Sequence, residues 1–166
     1  EPTTGWEAVH GAPTRTGRGG DIITTDQFGN FELALEWRLA ADGPAGNSGI
    51  FYRALETTSE IYWGAPEMQV LDNARHPDGR AELTSAGSKY ALHGVAHSHV
   101  RPVGEWNAVR LVVNGNHVEH WLNGTKVVEY ELGSADWKDR VAKSKFAEHP
   151  DYGRAQRGHI GLQEHG

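Results

Sequence analysis

In Gly64-Ala65-Pro66-Glu67-Met68-Gln69-Val70-Leu71-Asp72, a carboxylate and a carboxamide stand two residues apart in what reads as a strand. Successive strand side chains point to opposite faces, so Glu67, Gln69 and Leu71 share one face while Met68 and Val70 share the other. Met68 and Val70 suit a core. Glu67 and Gln69 then project together, either into a polar cleft, where they can accept and donate hydrogen bonds to a hydroxylated ligand, or onto a solvated face. A second group of chemistry-bearing side chains, Lys89, Tyr90, His93, His97 and His99, falls in residues 83–102, which show neither helical nor strand period. A loop of that length in a compact domain is functional or disordered. His97-Ser98-His99 has the spacing of a metal-ligand pair on a strand, a weak signal without further ligands. His117, His120 and His159 read as surface or packing residues.

The elements that must position these groups are strands. The 166 residues are one domain's worth, and 21 glycines, 7 prolines and 6 tryptophans mark a turn-rich, aromatic chain. A net charge of -6 argues against a nucleic-acid partner, and the absence of cysteine excludes disulfide and thiolate chemistry. No apolar run approaches membrane-spanning length, and no stretch reads as a signal peptide. Residues 31–39 alternate apolar and polar, with Phe31, Leu33, Leu35, Trp37 and Leu39 facing the core. Gly46-Asn47-Ser48-Gly49 reads as a turn before the strand Ile50-Phe51-Tyr52-Arg53. Asn114-Gly115 and Asn123-Gly124 sit between β-rich runs and predict a three-strand meander. Ser134 can cap a short helix reaching to about Lys145, with Trp137 and Val141 at helical spacing. Short, closely spaced strands of this kind predict an all-β sandwich or jelly roll of two antiparallel sheets with one short helix. Trp37, Trp106 and Trp121 are assigned to its core.

Six segments in order resemble one family. They are Asp21-Ile22-Ile23-Thr24-Thr25 before Phe31-Glu32-Leu33; Gly46 to Arg53; Glu67-Met68-Gln69-Val70-Leu71-Asp72; Gly104-Glu105-Trp106-Asn107; Trp121-Leu122-Asn123-Gly124; and Gly158-His159-Ile160-Gly161-Leu162-Gln163-Glu164-His165-Gly166. Together they look like the successive motifs of the 3-keto-disaccharide hydrolase family and cover nearly the whole chain. The resemblance implies a concanavalin-like jelly roll over residues 1–166, lacking one family-typical strand at each end. It also implies activity on 3-keto-glycosides, with a small carbohydrate as substrate and an exported, periplasmic or extracellular location.

Conventional glycosidases flank the scissile bond with two carboxyl groups, about 5 Å apart for retention and about 6.5–9.5 Å for inversion. Here Asp72 lies on the opposite face of an ideal strand from Glu67 and joins the cleft only through a bulge or turn. A 3-keto sugar offers another route, because its carbonyl acidifies the C2 hydrogen and permits elimination of the C1 substituent followed by hydration. That scheme assigns Glu67 as acid or base, and Arg53 as enolate stabiliser or salt-bridge partner of Asp72. His165 becomes a second proton-transfer candidate. Gln69, Asp72 and Gln163 are substrate ligands, Trp63 a stacking platform for a sugar ring, and Lys89, Tyr90 and Lys145 loop residues closing the cleft. The alternative is a non-catalytic carbohydrate-binding module. No cofactor is expected; a divalent ion, should one bind, would take Glu67 and a histidine from His97, His99 or His165.

Overall fold

A computed structural model of the chain describes residues 4–165, so Gly166 of the C-terminal motif lies outside the described residues. β1 (Trp6–Val9) and β2 (Ala12–Arg15) form a separate hairpin. β3 (Ile22–Ile23), β5 (Asn47–Ala54), β6 (Glu67–Leu71) and β10 (His159–Leu162) make one antiparallel sheet in the order β3-β10-β5-β6. β4 (Phe31–Trp37), β7 (Asn107–Asn114), β8 (His117–Leu122) and β9 (Thr125–Glu131) make the other, in the order β4-β7-β8-β9. The chain changes sheet after β3, β4, β6 and β9, which gives the expected jelly-roll sandwich, and α1 (Ala135–Ala142) is the one α-helix among the described residues.

Alternation places the core. Phe31, Leu33, Leu35 and Trp37 from β4 pack inward against Val109, Leu111 and Val113 of β7, Val118 and Leu122 of β8, and Ile50, Tyr52, Met68 and Val70 of the facing sheet. Both hairpins form, with different turns. Asn123 and Gly124 have φ of 51° and 84°, the two positive values that a type I′ turn requires. At the other hairpin Asn114 pairs with His117, so the loop is Gly115-Asn116, one residue later than the Asn-Gly signal suggests, and only Gly115 needs a positive φ. The Ser134 hydroxyl caps α1 by accepting from the Trp137 N–H at 3.1 Å.

A polar chain crosses the core. The Nδ1–H of the fully buried His120 donates to the Gly87 carbonyl at 2.9 Å, which leaves its Nε2 to accept from the Tyr130 hydroxyl at 2.9 Å. The Tyr52 hydroxyl completes the chain by donating to Tyr130 at 2.5 Å. Burial drives the imidazole pKa down to about 3, so His120 stays neutral.

Three expectations are corrected. Asn47, Ser48 and Gly49 belong to β5, pairing with Leu71, Val70 and Gln69, and are not a turn. Trp106 is 40% exposed with the Arg38 guanidinium over its ring, so it is not core. Trp121 shares parity on β8 with His117 and Glu119, which puts it on the outer face under Arg110. Met68, by contrast, lies where alternation placed it. Truncation by Met68→Ala is expected to cost about 2–5 kcal/mol, measured as a lowered urea midpoint at unchanged m-value.

Candidate active site

On the face of the β3-β10-β5-β6 sheet that turns away from the core, register lines up the polar groups. Gln69 pairs with Gly49, and the Gln163 N–H donates to the Gly49 carbonyl at 3.0 Å, so these three form one row across the sheet. Glu67, Phe51 and Gly161 form the next. The Glu67 carboxylate leans across Gly49, where an added Cβ would meet its Oε1 at 2.2 Å. Gly49 therefore makes room for the acid, a role hidden by its reading as a turn residue. Glu67 is 5% exposed and has no hydrogen-bond or ion-pair partner among the described residues. Burial pushes its pKa up to about 7, against the pull of the Lys89 and Lys145 charges and with a smaller push from Asp21. Gln69 donates from Nε2 to the Thr84 carbonyl at 3.2 Å, while its buried Oε1 has no partner among the described residues.

The stretch following residue 83 is more ordered than its lack of period suggests. The Gly87 N–H donates to the Gln69 carbonyl at 2.8 Å, the Gln69 N–H to the Ser88 carbonyl at 3.0 Å and the Tyr90 N–H to the Glu67 carbonyl at 3.2 Å. Residues 87–90 thus extend the sheet beyond β6. Their register puts Lys89 opposite Met68, and opposed residues share a face, so Lys89 points to the core side. It is fully buried, hydrogen-bonded to the Tyr152 hydroxyl and the Tyr90 carbonyl. Lys89 therefore lies off the face that carries Glu67 and Gln69, whereas the sequence reading sets it beside the cleft, a correction made by parity. Burial lowers its pKa to about 7, partly offset by Glu67.

Tyr90 has the opposite parity and is half-buried, with its hydroxyl 3.4 Å from Asp78 Oδ2. Burial, then Asp78 and Glu67, push its pKa up to about 12. Lys145 Nζ lies 4.5 Å from the Tyr90 ring centroid, 5.3 Å from that of Phe146, 5.5 Å from Tyr62 and 5.9 Å from Trp63. Partial burial lowers its pKa, while Glu67 and Asp78 draw it back up. Trp63 is stacked on His149 at 4.0 Å, so one ring face is occupied. Asp78, Tyr62, His149 and Gly49 are the neighbours that sequence reasoning missed. Asp78 sits in a 3-10 turn, Pro77–Arg80, where Pro-Asp-Gly signals only a turn and nothing local points it toward Tyr90.

Other expected ligands lie elsewhere. At Arg53 a β-bulge sets two residues of β5 against one of β10, and its φ of 51° breaks the alternation. Its guanidinium donates to the carbonyls of Gly29 and Gly115, so it neither joins Glu67 nor pairs with Asp72. Asp72 instead accepts from Arg75 and from the Ala74 and Arg75 backbone N–H groups, which hold it in its own turn. It lines a separate cavity of about 640 Å³ with Trp37, Leu71, Arg75, Val100 and Arg101. His165 is exposed and lies at the far end of the segment that follows β10. His97 is exposed and His99 half-buried, and no three of the described His, Asp or Glu residues converge so as to hold a metal ion.

The fold is shared with carbohydrate-active proteins. A Parabacteroides distasonis protein provisionally named a glycosyl hydrolase superposes with a TM-score of 0.89 at 30% identity, over 99% of this chain and 78% of that one. A carbohydrate-binding module of Bacillus subtilis shares the fold alone, with a TM-score of 0.59 at 11% identity over 96% of this chain and 82% of the module. All of residues 1–166 match the model of the 3-keto-alpha-glucoside-1,2-lyase-like domain, and the chain belongs to that family. It is 36% identical to a 3-keto-disaccharide hydrolase of Bacteroides thetaiotaomicron, spanning 94% of this chain and 61% of that relative's length.

The packing of Glu67 against Gly49 generates a test. In Gly49→Ala the new methyl meets the Glu67 side chain from Cγ to Oε1 and no backbone atom among its nearest contacts, so the side chain must swing aside while the strand can stay in place. Displacement of a reacting group by about 1 Å can reduce turnover roughly 100-fold. The expected outcome is a native-like circular dichroism spectrum and urea midpoint with a kcat/KM reduced on that order.

Proposed function

We propose that this domain cleaves 3-keto-glycosides by elimination at C1–C2, with Glu67 as the general base. The observation that carries the reading is the buried Glu67 carboxylate, without a partner among the described residues, beside a cation and a carboxamide on a polar sheet face. A base with a pKa pushed up to about 7 is both partly ionised and strong at neutral pH. Glu67 takes the C2 proton, and the C–H electron pair moves into the C3 carbonyl to form an enolate. Lys145, close enough to Glu67 to alter its ionisation, takes the stabilising role first given to Arg53. Collapse of the enolate forms the C1=C2 double bond as the C1–O bond breaks, and Glu67 returns its proton to the departing oxygen. Water added across C1=C2 then yields the free 3-keto sugar. The name of the matching domain, a 1,2-lyase, and that of the relative, a hydrolase, fit the two halves of this sequence. Gln69 and Gln163, in one row, are assigned to sugar hydroxyls.

Because the base acts only when ionised, kcat/KM on a 3-keto-glucoside should rise with pH below about 7 and level off above it. Glu67→Gln should lower kcat by about 10²–10⁴-fold. Turnover in heavy water should place deuterium at C2 of the product, measured by mass spectrometry and proton NMR. A product without deuterium at C2, from a substrate that does not exchange unaided, would sink elimination. Binding of the sugar without any turnover would favour the carbohydrate-binding module instead.

A further inference from the structure

The cavity lined by Asp72 has a chemistry that the reaction above does not use. It opens at one end of the sandwich, where Trp37 of β4 pairs with Asn107 of β7 in one sheet and Leu71 and Asp72 end the β6 run in the other. Asp72 lies five residues beyond Glu67, about 16 Å at 3.3 Å per residue, so the cavity stands apart from the proposed site. Its volume of about 640 Å³ is that of a small-molecule pocket. The floor is apolar: Trp37, Leu39 and Val100 pack against the core yet stay only half-buried, and Leu71, itself fully buried, completes it.

The polar groups around that floor are one-sided, because every side-chain acceptor among them already holds a donor. Asp72 accepts from the backbone N–H groups of Ala74 and Arg75, at 3.1 and 3.2 Å, and from the Arg75 guanidinium. Asn73 Oδ1 accepts from the Ala86 N–H at 2.8 Å, and Ser98 Oγ from Asn73 Nδ2 at 3.2 Å. The Oδ1 of the buried Asn107 accepts from the Arg101 N–H at 2.8 Å and from Asn123 Nδ2 at 2.9 Å. Donors are left over. The Asn107 amide nitrogen has only the Glu105 carbonyl, at 3.5 Å, the limit of a hydrogen bond. The Ser98 hydroxyl proton, Arg75 Nη2, and Arg101 Nε and Nη2 have no acceptor among the described residues. Two arginines against one aspartate also leave a positive charge in excess, in a chain whose net charge is -6.

We infer that this cavity is a second binding site, for a small carboxylate with an apolar body such as an aryl carboxylate. Arg101 meets the anionic head, and the surface of Trp37, Leu39 and Val100 takes the body. Surplus donors and one excess charge match a monoanion, which forms charge-assisted hydrogen bonds with a guanidinium. A sugar fits poorly, because each hydroxyl proton needs an acceptor and the side-chain acceptors are engaged. An inorganic anion leaves the apolar floor unused. The site therefore does not depend on the function proposed for Glu67.

Titration of the full ¹⁵N-labelled chain with 2-naphthoate, followed in its amide spectrum, tests this. Naphthoate should shift the amides of Leu71, Val100, Arg101 and Asn107 saturably and leave those of Glu67 and Gln163 in place. The neutral 2-naphthamide, of the same shape, should bind at least about tenfold more weakly, as expected on losing a hydrogen bond to a charged group. Arg101→Gln should bring naphthoate down to the affinity of naphthamide, and Arg101→Lys, which keeps the charge, should recover part of the loss. Because Arg101 is exposed, neither substitution should move the urea midpoint. Absence of saturable shifts at the lining residues, equal affinity of the native chain for naphthoate and naphthamide, or unchanged naphthoate affinity in Arg101→Gln would each overturn the inference. Shifts centred on Glu67 would place naphthoate in the other site and overturn it as well.

Discussion

The site is organised by the cost of keeping one carboxyl group dry. A carboxylate removed from water and given no donor is destabilised, and the chain offsets this by distance-spaced cations in preference to a salt bridge. Direct pairing with lysine would stabilise the anion and make Glu67 a weaker base. Gly49 follows from the same requirement: the carboxylate must lie flat across the neighbouring strand, and any side chain there would push it outward. The sheet therefore gives up packing at Gly49 to keep the acid in place.

The interior of the sandwich and the site share their scaffolding. His120, Tyr130 and Tyr52 form a directional hydrogen-bond chain whose far end is the Gly87 carbonyl. Gly87 opens the segment that adds to β6 and carries Lys89 and Tyr90. A polar network inside a core is stable only if every member is satisfied, so it also fixes where that segment sits. Stacking extends the same control: Tyr130 stacks on Trp137, Trp137 on Tyr152 and Tyr152 on Phe146, which brings order from α1 to the aromatic rings around Lys145.

What the sequence reveals about this fold is what local period encodes. The faces of β6, the inward residues of β4, the meander and the Ser134 cap all follow from alternation, turn chemistry or capping, which act over a few residues. The failures have a common cause. Lys89 is charged, which argues for exposure, and only its pairing with Met68 across more than twenty residues reverses that. Arg53 continues a strand whose alternation would place it in the cleft, but a bulge set by the opposing β10 turns it away. Asp78 meets Tyr90 through a turn that brings distant backbone together. Gly49 sits in a string of turn-forming residues, yet its partner on the next strand makes it extended.

The rows of β5, β6 and β10 have a kinetic consequence. Gly49, Glu67, Asp78, Tyr90, Lys145 and Gln163 come from segments separated by up to more than a hundred residues, and β10 must insert between β3 and β5 before the row holding Gln163 exists. Closing such long loops has to precede the contacts that reward it, which places this topology among the slower folders. Until β10 docks, the inner edges of β3 and β5 have no partner, so the row holding Gln163 forms only when β10 takes its place between them. That row is therefore acquired in one cooperative step and not strand by strand.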